Sequence, residues 1–327
     1  MPSTYYVAWW NVENLFDSEG SPRRTDKVRR TLGSSIAGWT AALRDRKIRQ
    51  LASVIAQMNG GAGPDLLGIC EVENEFVVQK LRDRVNALLP ARSYEVAHAD
   101  TVDERGIDVA FLFEPRFFSA PPGQRFQHVV MRRTATREIF QVNFTTHRGR
   151  IWAVFGNHWP ARRGEPLESA GYRAIAGETL AYFHQRALEV HGTQTPVLAM
   201  GDFNDEPFEP SLVQYALSTR QRTKVLRGDS PRLFNLMWEV MGGREATFYF
   251  EGFANLFDQL LVNRNMLGDA SPIRVVPGTA EIVRFPGMFD PAAAYPAPIP
   301  FGGMGSDVDQ DGYSDHYPIG VQVEEAD

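Results

Sequence analysis

Two hydrophobic periodicities alternate along the chain. Tyr5–Asn11 is a short aromatic and β-branched run, which predicts a buried strand. Asp17–Gly38 is polar and rich in arginine. Across Trp39–Met58 the apolar residues Leu43, Ile48, Leu51, Val54, Ile55 and Met58 recur at helical spacing, and the cluster NGGAGPD stops that helix. Asp65–Glu71 predicts a second buried strand, and Glu75–Leu89 a helix ended by Pro90. Strand-like segments follow at Tyr94–His98, Ile107–Phe113, Phe126–Val130, Glu138–Thr145 and Ile151–Asn157, several of them separated by turn signals. Ser169–Val190 is the third long helix, and Pro196–Gly201 is a strand leading into the polar turn DFNDEP. Further strands are predicted at Ala246–Phe250, Phe257–Val262 and Ile319–Val323.

Strands and helices thus alternate, give way to a run of strands, then alternate again. Two β-sheets packed face to face with helices outside would bury these patterns. The expected class is α/β, a four-layer sandwich of two mixed sheets flanked by helices. No linker divides the chain, so residues 1–327 are expected to form one domain. Pro286–Gly303 is rich in Pro, Gly and Ala and has no periodicity, which predicts a long loop of functional interest.

Composition narrows the picture. Apolar residues make up 43% and charged residues 23%, which excludes a disordered, collagen-like or coiled-coil chain. With 34 bases against 40 acids the net charge is −6, so a polyanion would have to be met by a local patch. Cys70 is the lone cysteine, so no disulfide can form within the chain; it reads as a small buried apolar residue. No stretch approaches the roughly 18 apolar residues of a membrane span. The first residues show no signal-peptide pattern, and a reducing compartment, the cytoplasm, is the simplest expectation; secretion after removal of a leader stays open.

Polar clusters sit at the ends of the predicted strands: Asn11 and Glu13, Glu71, Asp108, Asn157 and His158, Asp202 and Asn204, Asp258, and Asp315 with His316. Strand ends are where a rigid sheet can gather side chains around one cleft. Oxygen donors predominate, which suits Mg²⁺ or Mn²⁺ better than Zn²⁺.

The segments WNVENLFD, GICEVEN, GIDVAFLF, GNHWPARR, MGDFNDEP, FDQLLVN and SDHYPI occur in one order between Trp9 and Val321. They resemble the motifs of the endonuclease/exonuclease/phosphatase superfamily of metal-dependent phosphoesterases, which includes pancreatic-type deoxyribonuclease and abasic-site endonucleases. The resemblance implies metal ligands at Asn11, Glu71 and Asp315. It implies that Asp202 orients or deprotonates the attacking water and also contacts metal. Asn204 would hold the water or a phosphate oxygen. His316 would contact the scissile phosphate, with Asp258 fixing its tautomer. His158 would be a second histidine, partnered by Asp108. Asn157 takes no role, nor do His98, His128, His147, His184 and His191.

Physical chemistry supports the same cast. A phosphodiester is anionic and resists attack by water, and a hard cation neutralises charge in its transition state. A carboxylate can align the water, and an imidazolium beside a second carboxylate stays charged. Taken singly, Asn11 and Asn204 could cap turns, and Glu71 could be held by a salt bridge.

Arg162, Arg163 and Arg173 follow His158 and are expected to contact substrate phosphate. Between Ser21 and Gln50 nine Lys/Arg stand against two Asp, either a phosphate-tracking rim or a solvated face. Asp307, Asp309 and Asp311 begin like a calcium loop, but the twelfth position is Pro318, leaving a weak Ca²⁺ site or an acidic turn. The aromatic runs Tyr5–Trp10 and Phe248–Phe257 could form stacking platforms; the first fits core packing better.

Three functions fit: a divalent-metal phosphodiesterase acting on nucleic acid, DNA before RNA; the same chemistry on a lipid, inositol phosphate or other small ester; or a non-catalytic binding protein. The complete motif set argues against the last. Neither a membrane nor an obligate protein partner is expected.

Overall fold

The computed structural model describes residues 3–103, 105–131, 133, 136–162, 166–242 and 245–327. Its strands are β1 (Ser3–Leu15), β2 (Leu66–Val72), β3 (Glu95–His98), β4 (Asp108–Phe113), β5 (Ile139–Thr146), β6 (Ile151–His158), β7 (Val197–Asp202), β8 (Leu233–Asn235), β9 (Asp258–Asn263), β10 (Ile273–Val275) and β11 (Ile319–Glu325). Short pairing segments add to these. The helices are α1 (Asp26–Leu32), α2 (Ala41–Gly61), α3 (Glu75–Leu88), α4 (Pro166–His191) and α5 (Arg222–Arg227).

One mixed sheet runs β10-β11-β1-β2-β4-β3, and the other carries β8-β9-β7-β6-β5 in its interior. In the first, β1 lies parallel to β2 and antiparallel to β11. In the second, β7 lies parallel to β6 and antiparallel to β9.

Strand alternation decides which side chains meet. Tyr5, Val7 and Trp9 of β1 point between the sheets, where Leu198 and Met200 of β7 and Leu260 and Val262 of β9 join them. Their neighbours Tyr6, Ala8 and Trp10 point outward onto Leu51, Val54 and Ile55 of α2 and Val77 and Leu81 of α3. On the far side, Val197 and Ala199 pack with Ala176, Leu180 and Ala187 of α4. The layers are therefore helix, sheet, sheet, helix. Gly68 permits the close approach at the centre: a Cβ there would stand 2.5 Å from Trp9 Cε3 and 3.2 Å from Met200 Sδ.

The buried elements match the expected ones closely. Helix α2 begins where Thr40 accepts a hydrogen bond from Leu43 N, and helical dihedrals fail at Met58, with Asn59 and Gly60 at positive φ. Asn74 caps α3 in the same way. The polar segment after β1 contains a helix the pattern did not predict, α1, capped by Thr25. No described helix is long and apolar enough to cross a membrane. Pro286–Gly303 is a loop, and Tyr317 donates to its Pro296 carbonyl at 2.7 Å.

Candidate functional site

The strand ends converge. Strand register sets His158 opposite Asp202, and Asp202 opposite Asp258, so three site residues lie abreast on β6, β7 and β9. Glu71 occupies an irregularity in the pairing of β2 with β4, between Cys70 and Val72. Glu13, Asn14, Glu71 and Asn204 all have positive φ, an uncommon conformation for residues with a Cβ. Such strain concentrates at functional sites because surrounding structure has to hold it.

His316 and Asp258 form a buried dyad. His316 Nδ1 lies 2.7 Å from Asp258 Oδ2, while Trp9 Nε1 donates to Asp258 Oδ1 at 3.1 Å. The opposite ring atom, His316 Nε2, is 3.9 Å from Asp202 Oδ2. Burial works against charge on His316, but Asp258 and Asp202 hold its pKa well above the ordinary histidine value. Burial raises Asp202 to about 6, opposed by His316. Asn11 Nδ2 donates to Asp202 Oδ2 at 3.1 Å, and Asn204 N donates to Oδ1 at 2.9 Å.

Asn11, Glu71 and Asp315 make an oxygen-rich side to this pocket. Glu71 Oε2 accepts from Asn14 N at 2.9 Å. Burial raises Asp315 to about 7, and the carboxylates of Glu13 and Glu71 add to the rise. Glu13 itself is turned away: it accepts from the backbone N–H of Phe301 at 2.8 Å, Gly302 at 3.1 Å and Gly303 at 3.0 Å, with Lys47 Nζ beside it. Such a set of carboxylates with one amide, Asp202 and Asn11 buried and Glu71 and Asp315 partly buried, fits a hard divalent cation. Asn11, Glu71, Asp202 and Asp315 are the residues that would hold it; among the described residues the group at this site whose ligand atoms already lie close enough to surround an ion is Asp202, Asp258 and His316.

His158 enters differently from the expectation. Its Nε2 lies 3.5 Å from Glu71 Oε1 and 3.8 Å from Asp202 Oδ2, and its buried Nδ1 has no hydrogen-bond partner. Burial, with Arg137 and Arg105 nearby, lowers its pKa well below the ordinary value. Asp108 is not its partner. That carboxylate bonds His98 Nε2 at 2.9 Å and accepts from Thr101 N at 2.9 Å. Pairing of β3 with β4 puts His98 beside Asp108, and this satisfies the buried carboxylate. Asn157 is a brace: Nδ2 donates to the carbonyls of Phe155 and Met200, and Oδ1 accepts from Trp159 Nε1. Asn204 also has a bracing contact, since its Nδ2 donates to the Trp159 carbonyl at 3.0 Å.

The arginines need larger corrections. Arg173 is buried and forms a 2.8 Å ion pair with Asp205, so it does not face a substrate. Arg162 pairs with the same carboxylate at 3.0 Å and reaches Glu209 at 3.5 Å. Arg163 lies outside the described residues. Three of the nine bases of the basic segment are consumed too: Arg24 is paired with Glu73, Arg44 with Asp17, and Lys47 with Glu13, all buried. Asp311 is bound by Arg46 at 2.6 Å, and among the described residues Asp307, Asp309 and Asp311 are not one of the groups able to surround a metal. The guanidinium at the site is Arg105, one-third exposed and 3.7 Å from Glu71 Oε1. Sequence reasoning passed over it; its one signal is its place just before the GIDVAFLF motif.

The profile of the Endonuclease/Exonuclease/phosphatase family matches residues 6–325. The chain belongs to this family. It is accordingly a phosphoesterase by membership. No curated protein sequence matches it. Among solved structures, truncated Caenorhabditis elegans TDP2 superposes with a TM-score of 0.57 at 13% identity, covering 99% of this chain and 98% of that one. The human Nocturnin catalytic domain gives 0.55 at 15% identity, covering 99% and 98%. A mannosyl-6-phosphatase of Bacteroides thetaiotaomicron gives 0.55 at 16%, covering 98% and 99%. At these identities the likeness shows a shared fold, the two-sheet sandwich of the family.

Proposed function

We propose that the protein is a divalent-metal-dependent phosphodiesterase that hydrolyses nucleic acid, with Mg²⁺ or Mn²⁺ as its cofactor. The observation that carries the reading is the His316–Asp258 dyad at 2.7 Å, with Asp202 Oδ2 3.9 Å from the other imidazole nitrogen. That spacing leaves room for a reacting oxygen between a carboxylate and an imidazolium. Asp202 accepts the proton of the attacking water as general base. His316, held charged by Asp258, donates to a phosphoryl oxygen or to the departing alkoxide. The bound cation supplies charge neutralisation for the pentavalent phosphorus centre. His158, between Glu71 and Asp202, places a polar ring edge on the same phosphate. Arg105 adds a fork for a non-bridging oxygen.

A second reading keeps the chemistry and takes a small phosphate ester. It is favoured by the engagement of Arg162, Arg173, Arg24, Arg44 and Lys47 within the protein, which thins the cationic surface a long polyanion would follow.

A substrate panel separates the two. Single- and double-stranded DNA, RNA, a small diester and sugar or inositol phosphates are assayed with Mg²⁺ or Mn²⁺ and with EDTA. The nuclease reading expects metal-dependent cleavage of oligonucleotides. Turnover of small esters with intact oligonucleotides would replace it by the second.

A further inference from the structure

The two aromatic runs have opposite fates. Tyr5–Trp10 is core, whereas Phe248–Asn255 forms a two-stranded ribbon outside both sheets, with Phe250 60% and Phe253 72% exposed. Cross-strand pairing sets Phe248 opposite Asn255 and Phe250 opposite Phe253. Because side chains alternate, Phe248, Phe250 and Phe253 share one face of the ribbon.

That face begins on the dyad. The Phe248 ring stacks on His316 with centroids 4.8 Å apart and planes 30° apart, and its other neighbour, Phe257, is stacked at 5.6 Å and 22°. The root of the ribbon is tied to the same place: Tyr317 N donates to Thr247 O at 2.8 Å, and Asp258 N donates to Thr247 Oγ1 at 3.1 Å. The tip turns through Glu251 and Gly252, both at positive φ, the geometry of a rigid type I′ hairpin. Gly252 is seated against Tyr295: a Cβ there would lie 3.5 Å from that ring. With a rise of about 3.4 Å per residue, Phe250 stands about 7 Å beyond Phe248 along the same face.

A stiff ribbon therefore leads from the imidazole that faces the scissile phosphate to two exposed aromatic rings. Unpaired apolar rings on a preformed element lose little entropy on binding, and stacking on them tolerates any flat partner. We infer that Phe250 and Phe253 are a stacking subsite for a nucleobase flanking the cleaved phosphodiester. This rests on the nuclease reading and names the feature of the substrate it selects: an unpaired base on the ribbon side of the cut. The dyad acts on the phosphate, and the ribbon holds the strand by a base without reading its identity.

The test pairs an enzyme change with a substrate change. Phe250→Ala/Phe253→Ala is compared with wild type on a single-stranded oligonucleotide with one cleavable linkage. It is also compared on matched strands carrying an abasic nucleotide on either side of that linkage. Loss of one stacked base is expected to raise KM about 10- to 100-fold for the complete strand. On the strand lacking the base on one particular side, the difference between the two enzymes should shrink to less than about twofold. Phe250→Trp/Phe253→Trp should restore the wild-type KM, showing that flatness rather than shape is used. Equal losses on complete and abasic strands, or no loss on either, would overturn the subsite while leaving the nuclease reading in place. If wild type cleaves a small diester but no oligonucleotide, both fall together.

Discussion

The Glu13 carboxylate accepts the backbone N–H of Phe301 at 2.8 Å, joining the end of the first strand to a loop 288 residues further on. Gly302 and Gly303 donate to the same carboxylate, and Lys47, fully buried, is its counter-ion. The Glu13 N–H in turn donates to Asn11 Oδ1 at 3.0 Å. Glu13→Gln strands the Lys47 ammonium in the interior, and breaking such a pair costs about 3–5 kcal/mol. Thermal unfolding should show this loss, with faster amide exchange at residues 301–303. Glu13→Gln/Lys47→Met should recover part of it; no recovery would mean that the three N–H bonds, not the charge, carry the energy.

The dyad makes a signed prediction about pH. Asp258 raises the pKa of His316, so Asp258→Asn lowers it and the imidazolium is lost at a lower pH. The alkaline limb of kcat/KM against pH should move to lower pH in Asp258→Asn, with a fall at the optimum of about 10²- to 10⁴-fold. An unshifted limb would show that His316 is not the group whose proton is used.

Metal binding at the proposed site should have its own pH dependence. Asp315 rises to about 7 and Asp202 to about 6 without a cation, so protons compete with metal as pH falls through that range. Calorimetric Mn²⁺ affinity should weaken from pH 8 to pH 6, and Asp315→Asn should flatten that dependence while weakening binding at pH 8. Equal affinity at both pH values would remove these carboxylates from the ligand set.

Two arginines should behave oppositely. Arg105 is partly exposed beside Glu71, so Arg105→Ala is expected to raise KM about 10- to 100-fold at unchanged melting temperature, the range of a charge-assisted hydrogen bond. Arg173 is buried on Asp205, so Arg173→Ala should lower stability by about 1–3 kcal/mol through the lost charged hydrogen bond, Arg162 and Ser211 remaining on that carboxylate. Steady-state kinetics and denaturant unfolding on both variants decide it.

His184 on α4 gives the fold an acid sensitivity. Burial lowers its pKa to about 4, and its Nε2 has no hydrogen-bond partner among the described residues. A depressed histidine stabilises the fold above the unfolded value of about 6.5 and loses that contribution as pH falls towards 4. Relative to wild type, His184→Leu should gain about 2 kcal/mol between pH 7 and pH 5. Parallel stability curves would contradict this.

The core elements were legible because periodicity records burial. Both faces of β1 are covered, and its sequence is correspondingly apolar and aromatic from Tyr5 to Trp10. Leu233–Asn235 and Ile273–Val275 were not legible: three residues are too few to carry a period. Helix α1 is short and buries only Val28 and Leu32, so its cap, Thr25, was the one signal. Within the site, ordered motifs located Asp202, Asp258 and His316, which the structure brings together. The partner of Asp108 was hidden, because only the adjacency of β3 and β4 selects His98 over His158. The arginines misled for a similar reason: a guanidinium near a motif in sequence takes whichever carboxylate the tertiary fold presents first.

Strand β1 hydrogen-bonds to β11, so Asn11 from one end of the chain meets Asp315 and His316 from the other. A polypeptide still being translated cannot form the His316–Asp258 dyad until residue 316 has left the ribosome. Under the proposed reading the chemistry therefore waits for the last strand, and a fragment lacking either β1 or β11 lacks half of the proposed site.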